Sequence, residues 1–556
     1  MAHMSRNKFS NANFAKGAKN AKEKGVLREF RSIRAFRVER ALEEKSSSIS
    51  FIILALLAST LAGCAAPVII TPTPAWATVT VDPFGTVTAT PFQPESNPPT
   101  NTPLPVPTAT TYIQPTLAPT DTQVPVTPPD PVVRTKYSLS VIMDYSAHSL
   151  GVTETITYTN QTGEALGNLL LAVEPNRWSG AFWLSSLTLN GQPTGNHSLN
   201  GIRLDIPLAQ PLSDGGTVTI DLVYDLYLPQ TSNDHIFGYN YLQLNLIDWY
   251  PFIVPYVPGQ GWLLNEPFVT GEHLVYDPAD FEVRIRQSDP SLAATIAASA
   301  PAQADGDGFS YRLENARIFV FSASTRYLST SASLGNITIT SYYTEGHADA
   351  AAAILQAATQ AVALYSDLYA PYPYASLNIV EAAFPDGMEA DGLVWLSRNF
   401  YDEYNGTVRN NLISIGVHEI SHQWWFGLVG NDQALEPWLD EALCTYSEWI
   451  FYMHTYPSLA GWWWNFRVKP FSPSGYINIT IYEGGSFRPY VNAVYLRGAY
   501  FMDALRLRVG DDAFYAFLKD YATQMSHRRA SRQDFFSILA QHTNIDLSGV
   551  VGDYFQ

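Results

Sequence analysis

The chain has 556 residues, three or four domain-sized pieces by length alone. Residues 1–45 carry 12 Lys/Arg against 5 Asp/Glu, whereas the remaining 511 carry 21 against 46, so a basic tip precedes a body of net charge −25. A body that acidic repels phosphate backbones and excludes a nucleic-acid partner. A hydrophobic content of 46% excludes a disordered body, and two cysteines exclude a disulfide-stapled scaffold or a cysteine-rich zinc fold.

The basic tip ends at Lys45 and an uncharged run follows from Ser46 to Val81. Its most apolar part, Phe51 to Ala58, has the length of a signal-peptide core behind a positive flank. The run closes on Leu61-Ala62-Gly63-Cys64, which resembles a bacterial lipobox. That resemblance implies cleavage before Cys64, lipidation of its thiol, and a chain anchored on the extracytoplasmic side of a bacterial membrane. The competing expectation is an uncleaved span running to Ile70; Pro67 and the small residues Ala62, Gly63, Ala65 and Ala66 weigh against it, since about 20 mostly apolar residues are wanted. The 45 residues ahead of the run are long for such a flank, and Glu23 to Lys45 reads as a basic amphipathic helix; a start at Val26 or Leu27 would shorten them.

Residues 1–63 are thus read as a basic extension and signal peptide, and 64–132 as a stalk. Pro67 to Pro131 holds 17 of the 37 prolines, 16 threonines and no Lys or Arg. Such a segment buries no core and extends at about 3 Å per residue, as a stalk or a plain linker.

From Tyr137 to about Tyr343 the pattern has period two. Leu139, Val141, Met143 and Tyr145 alternate with polar neighbours, Val152, Ile156 and Tyr158 continue with Glu154 interrupting, and Val218 to Leu228 gives the cleanest strand. Asn190-Gly191 and Asp214-Gly215-Gly216 punctuate these runs, which predicts antiparallel β structure. His347 to Tyr369 is Ala-rich and helical, stopped by Pro371 and Pro373. Short strands, Leu377 to Glu381 and Gly392 to Leu396, precede further helices. The expected fold is α+β: a β-rich domain over 133–345, then a mainly α domain over 346–556.

His418-Glu419-Ile420-Ser421-His422 lies in a pattern, Leu412 to Phe426, that reads as a helix. Histidines at i and i+4 share one helical face and can reach one zinc at about 2.0–2.1 Å. Glu419 is rotated about 100° from His418, so it can face a water without ligating the metal. Two ordinary histidines on a solvated face are the bland alternative. Pro437 then suits a first helical turn, and Trp438-Leu439-Asp440-Glu441-Ala442-Leu443 follows. Glu441 completes two His and one Glu with an open position, a catalytic rather than a structural zinc site. Glu448, seven residues on, returns to nearly the same face and can accept the other N–H of a ligand histidine, unless it is a surface carboxylate.

These residues, with His422-Gln423-Trp424-Trp425 and Trp438-Leu439-Asp440-Glu441 around them, resemble the gluzincin metallopeptidases of the aminopeptidase N family. The resemblance covers about 346–556 in sequence and 134–345 by architecture only. It implies a saddle-like β domain before a thermolysin-like catalytic domain, one zinc per chain and peptide substrates. The helical domain that often follows in the family has no counterpart, with 115 residues after Glu441. Tyr495-Leu496-Arg497-Gly498-Ala499 matches the family's Tyr-x-x-Gly-Ala, whose tyrosine serves the reacting carbonyl oxygen; packing is the alternative role for Tyr495 and the expected one for Tyr490 and Tyr500. The family's Gly-Ala-Met-Glu-Asn strand stands here as Asp386-Gly387-Met388-Glu389-Ala390. Met388 and Glu389 match while Asp386, Gly387 and Ala390 depart. By resemblance Glu389 binds a free α-amino group; otherwise it is a loop carboxylate.

Three functions follow: an exopeptidase removing N-terminal residues, favoured by Glu389; a zinc endopeptidase or other zinc hydrolase, favoured by the altered strand; or a surface adhesion module with an inherited zinc lobe. Trp462-Trp463-Trp464 is expected to pack in a core or lid, Trp249-Tyr250-Pro251 to rim the cleft, and Cys444 to act as a buried small hydrophobe.

Overall fold

The computed structural model describes residues 133–232 and 235–556, so the signal peptide, Cys64 and the stalk lie outside the described residues. Strand Thr135–Asp144 buries Tyr137, Leu139, Val141 and Met143 and turns their neighbours outward, the outcome its alternation dictates. It pairs antiparallel with Ser149–Thr159 and parallel with Ala279–Gln287. Thr217–Tyr227 joins Ser149–Thr159 to Phe182–Leu189, within an eight-stranded sheet. Two four-stranded sheets and a two-stranded one, Tyr256–Val257 with Gly261–Trp262, complete the β-rich domain among the described residues. Glu154 faces inward and is fully buried, and burial pushes its carboxyl well up toward a neutral acid.

The C-terminal domain is built on a five-stranded sheet in the order Leu328–Leu334, Ile337–Tyr343, Ser376–Ala382, Leu393–Ser397, Gly387–Ala390. The division expected near 345 therefore falls too late by hydrogen bonding, because the hairpin Leu328–Tyr343 belongs to this second sheet. A hairpin has period two in whichever sheet it sits, so periodicity does not reveal its owner. Gly387–Ala390 lies at the edge and pairs antiparallel with Leu393–Ser397, which makes Glu389 a strand residue rather than a loop carboxylate.

Helix Ala348–Leu368 covers the sheet and packs on helix Asn411–Ser421, which in turn packs on helix Trp438–Thr455. The Asn410 side chain caps Asn411–Ser421 by accepting from the Ile413 N–H. This helix stops five residues short of the expected Phe426. Past it, Gly427, Leu428 and Val429 donate to carbonyls five residues back, and a Cβ on Gly427 would meet Asp391 Oδ1 at 2.6 Å. The widened turn lets the Gln423 carboxamide reach the sheet, donating to the Ala390 carbonyl at 2.8 Å and accepting from the Gly392 N–H at 2.9 Å.

Buried Arg317 joins the two domains. Its guanidinium donates to the carbonyls of Tyr276, Gly427 and Arg528, and its N–H donates to Asp391, next to the edge strand. Trp249 and Tyr250 do not rim the cleft. Both are buried in the core, where the Trp249 indole donates to the Phe319 carbonyl and the Tyr250 hydroxyl accepts from the Phe319 N–H. No helix among the described residues is long and apolar enough to cross a membrane.

Candidate active site

Helix Asn411–Ser421 carries His418 and Glu419, and His422 follows in helical conformation at its C-cap. Helix Trp438–Thr455 crosses it and carries Glu441 and Glu448 on one face, two turns apart. His418 Nε2 lies 3.2 Å from Glu441 Oε2 and 3.3 Å from His422 Nε2; His422 Nε2 lies 3.6 Å from the same carboxylate oxygen. All three residues are buried.

The other ring nitrogens are occupied. His418 Nδ1 is 3.1 Å from Glu448 Oε1, and His422 Nδ1 is 3.0 Å from the Trp425 carbonyl oxygen. Both partners are acceptors, so each Nδ1 carries the proton and each Nε2 presents a lone pair to the Glu441 carboxylate. Three acceptors facing one another in a buried space call for a cation. Zinc bonds of about 2.0–2.1 Å in a tetrahedron put ligand atoms about 3.3 Å apart, which is the spacing found here. The donor set fits one zinc ion.

The electrostatics agree. With no cation bound, burial would lower His418, but the Glu441 and Glu448 carboxylates outweigh it and lift the imidazole to about 9, so a proton takes the cation's place on Nε2 and zinc binding would displace it. Against the burial that would raise Glu441, His422 and His418 hold it down to about 2. Both shifts are those of a site that draws positive charge.

Glu419 is buried beside this set, with a carboxylate oxygen within 4.8 Å of ligand atoms of His422 and Glu389. Burial pushes its carboxyl up to about 8, with the two histidines pulling the other way. Edge strand Gly387–Ala390 runs directly over it: Gly387 and Glu389 share one strand face, and Met388 points to the other. Met388 stands half-buried opposite Trp395. Two of the three departures are accommodated here, since Ala390 is held through its carbonyl by Gln423 and half-buried Asp386 accepts from the Gly387 N–H. Gln433, buried between the two metal-binding segments, lies 3.4 Å from Glu389 Oε1.

The Tyr495 hydroxyl donates to Glu441 Oε1 at 2.6 Å, and its ring stacks on His418 at 5.9 Å between centroids. It sits on a π-helical turn, Asn492–Leu496, a distortion common at functional sites. Tyr490 packs edge-on against it. Cys444 is buried with its thiol pushed up to about 12 by burial, so it stays neutral.

Sequence reasoning missed Glu272. This residue of the β-rich domain brings a carboxylate oxygen within 4.8 Å of those of Glu389 and Glu441. Burial, then the charges of Glu389 and Glu441, push its carboxyl well up. It follows Gly271, at φ 74°, where a Cβ would lie 2.6 Å from the Ile481 side chain and 2.9 Å from the Tyr490 hydroxyl. That close approach brings the loop down onto the site, and a lone Gly-Glu pair carries no motif to announce it.

Residues 354–554 match the peptidase family M1 domain. Aminopeptidase M1-B of Oryza sativa subsp. japonica is 26% identical over 209 residues, covering 34% of this chain and 23% of that protein. Aminopeptidase N of Lactobacillus delbrueckii subsp. lactis is 24% identical over 290 residues, covering 47% of this chain and 34% of that protein. The chain thus spans about a quarter to a third of the length of these curated relatives. The M1 zinc metallopeptidase of Deinococcus radiodurans shares the fold, with a TM-score of 0.55 at 18% identity over 76% of this chain and 94% of that one. A mutant of that enzyme bound to a Tyr-ser-ala substrate matches with a TM-score of 0.54 at 18% identity, over 76% of this chain and 94% of that one. The region that carries the site, residues 354–554, is thus similar in sequence to the peptidase family M1 domain, and the chain around it shares the fold of an M1 zinc metallopeptidase.

Proposed function

We propose that the protein is a zinc aminopeptidase that removes N-terminal residues from peptides. The observation that carries this reading is a second cluster of carboxylates, Glu389 and Glu272, within 4.8 Å of the ligand Glu441. Carboxylates so crowded repel one another, and an α-ammonium seated among them relieves the repulsion. An exopeptidase requires that seat to lie one residue's reach from the reacting carbonyl. The tripeptide bound by the Deinococcus relative supports peptides as the substrate class.

Zinc, when bound by His418, His422 and Glu441, supplies a Lewis acid for the scissile carbonyl and lowers the pKa of a water toward 7. Glu419 takes a proton from the attacking water and passes it to the leaving amine, a task suited to a buried carboxyl whose affinity for protons burial has raised. Tyr495, its hydroxyl pushed well above the usual phenol range by burial and then by Glu441, stays protonated and donates to the developing oxyanion. The outer side of the edge strand Gly387–Ala390 offers backbone groups to an extended peptide.

Membrane anchoring through Cys64 belongs to the same proposal. The apolar run ending in Leu61-Ala62-Gly63-Cys64 supports it, as does the Thr/Pro-rich stretch that would lift the peptidase off a bacterial surface. Hydrolysis of free-amine and acetyl-capped versions of one peptide tests the exopeptidase reading. Preference for the free amine supports it, and equal cleavage favours the endopeptidase reading.

A further inference from the structure

Glu448 is fully buried at the centre of the C-terminal domain, where a carboxylate is costly unless every lone pair is used. It takes three donors. His418 Nδ1 approaches Oε1 at 3.1 Å, the Trp463 indole N–H reaches Oε2 at 2.9 Å, and Arg467 Nε reaches Oε2 at 3.0 Å. Trp463 and Arg467 stand four residues apart on one helical run, Ala460–Trp463 continued by the π-turn Trp464–Val468, and so present their donors from one side. Neighbouring rings hold this run. Trp462 stacks on Phe466 at 4.7 Å, and Trp464 stacks on Tyr500 at 5.1 Å. The tryptophan triplet is thus a packed element whose middle member turns its polar edge inward.

The consequence runs through His418. That ring lies between two carboxylates of one helix, with Nε2 toward Glu441 and Nδ1 toward Glu448. Its tautomer and tilt depend on where the Glu448 carboxylate is held. Arg467 supplies the guanidinium counter-charge and Trp463 the second anchor. We propose that Trp463 and Arg467 are positioning residues that lock Glu448 onto His418 and thereby set how tightly the trio holds zinc. The Arg467 guanidinium also feels the charges of Asp386 and Glu419, so Trp463, whose indole N–H meets Glu448 Oε2, gives the cleaner test. The proposal rests on the zinc-site reading given above.

Zinc affinity measured by competition with a chromophoric chelator tests it without reference to any substrate. Groups that orient a ligand histidine are commonly worth about 10–100-fold in metal affinity. Trp463→Phe, which keeps a ring and removes the N–H, and Arg467→Met should each weaken zinc binding by about that factor, with kcat lowered and KM unchanged. Arg467→Lys keeps the charge without the planar Nε–H and should recover part of the loss. Should Arg467→Met fail to fold, Trp463→Phe decides alone. Zinc affinity within two-fold of the unmutated protein in the folded variants would overturn the proposal, whatever happens to their melting temperature. An unmutated protein that binds no zinc would instead overturn the underlying site reading.

Discussion

Gly387 and Glu419 touch in a way that admits no side chain at the glycine: a Cβ there would lie 2.1 Å from Glu419 Oε1 and 2.4 Å from its carboxyl carbon. The edge strand and the candidate general base therefore define each other's position. The Gly-Ala-Met-Glu-Asn strand that this segment resembles has Ala at the corresponding place, where Gly387 leaves room for the Glu419 carboxylate.

Gly387→Ala should keep the fold and the zinc but displace the Glu419 carboxylate, the movable partner in the clash. We expect kcat to fall by about 10-fold or more, since a small misplacement of a reacting group is costly. Steady-state kinetics beside a zinc assay check this. Unchanged kcat would mean that Glu419 has another working position.

His422→Ala removes one of three converging ligand atoms. The unmutated protein should hold one zinc per chain, lost on chelation together with hydrolysis, and the variant should hold none after dialysis. Metal analysis is the readout, and stoichiometric zinc in His422→Ala would contradict the ligand set.

Glu419→Gln preserves shape and removes the base. Zinc content and melting temperature should be unchanged while turnover drops by about 10²–10⁴-fold, the usual worth of general acid–base catalysis. Near-normal turnover would assign proton transfer to another group.

The metal helices were legible in the sequence because their geometry is local. His418 and His422 are one turn apart, and Glu441 and Glu448 are two turns apart, so spacing alone places them on common faces. Contacts made by tertiary packing left no such trace. Glu272 reaches Glu389 from another domain across 117 positions, and Trp463 and Arg467 meet Glu448 from a separate helical run. The helix through His422 was read too long for a related reason. The apolar residues Trp424, Trp425 and Phe426 continue the pattern, but the chain leaves the helix so that Gln423 can reach the edge strand. The hairpin Leu328–Tyr343 shows the same limit, since alternation marks a strand without naming its sheet.

If Cys64 is the lipid attachment point, membrane fractionation of cells expressing the full chain should find the protein with the membrane. Cys64→Ser should be released or left unprocessed at a higher apparent mass. Unchanged size and membrane partition in that variant would favour an uncleaved apolar span instead.

We propose above that the carboxylates beside His418, His422 and Glu441 bind a free α-amine. The most direct test is kcat/KM for one short peptide in free-amine and acetyl-capped forms, with the unmutated zinc-loaded protein and Glu389→Ala. Losing one partner of a buried charge pair costs a few kcal/mol, and about 2.7 kcal/mol corresponds to about 10²-fold. We therefore expect the capped peptide to be a poor substrate of the unmutated protein, and Glu389→Ala to lose about 10²-fold or more on the free peptide. Equal cleavage of both peptides, with Glu389→Ala as active as the unmutated protein, would contradict the claim.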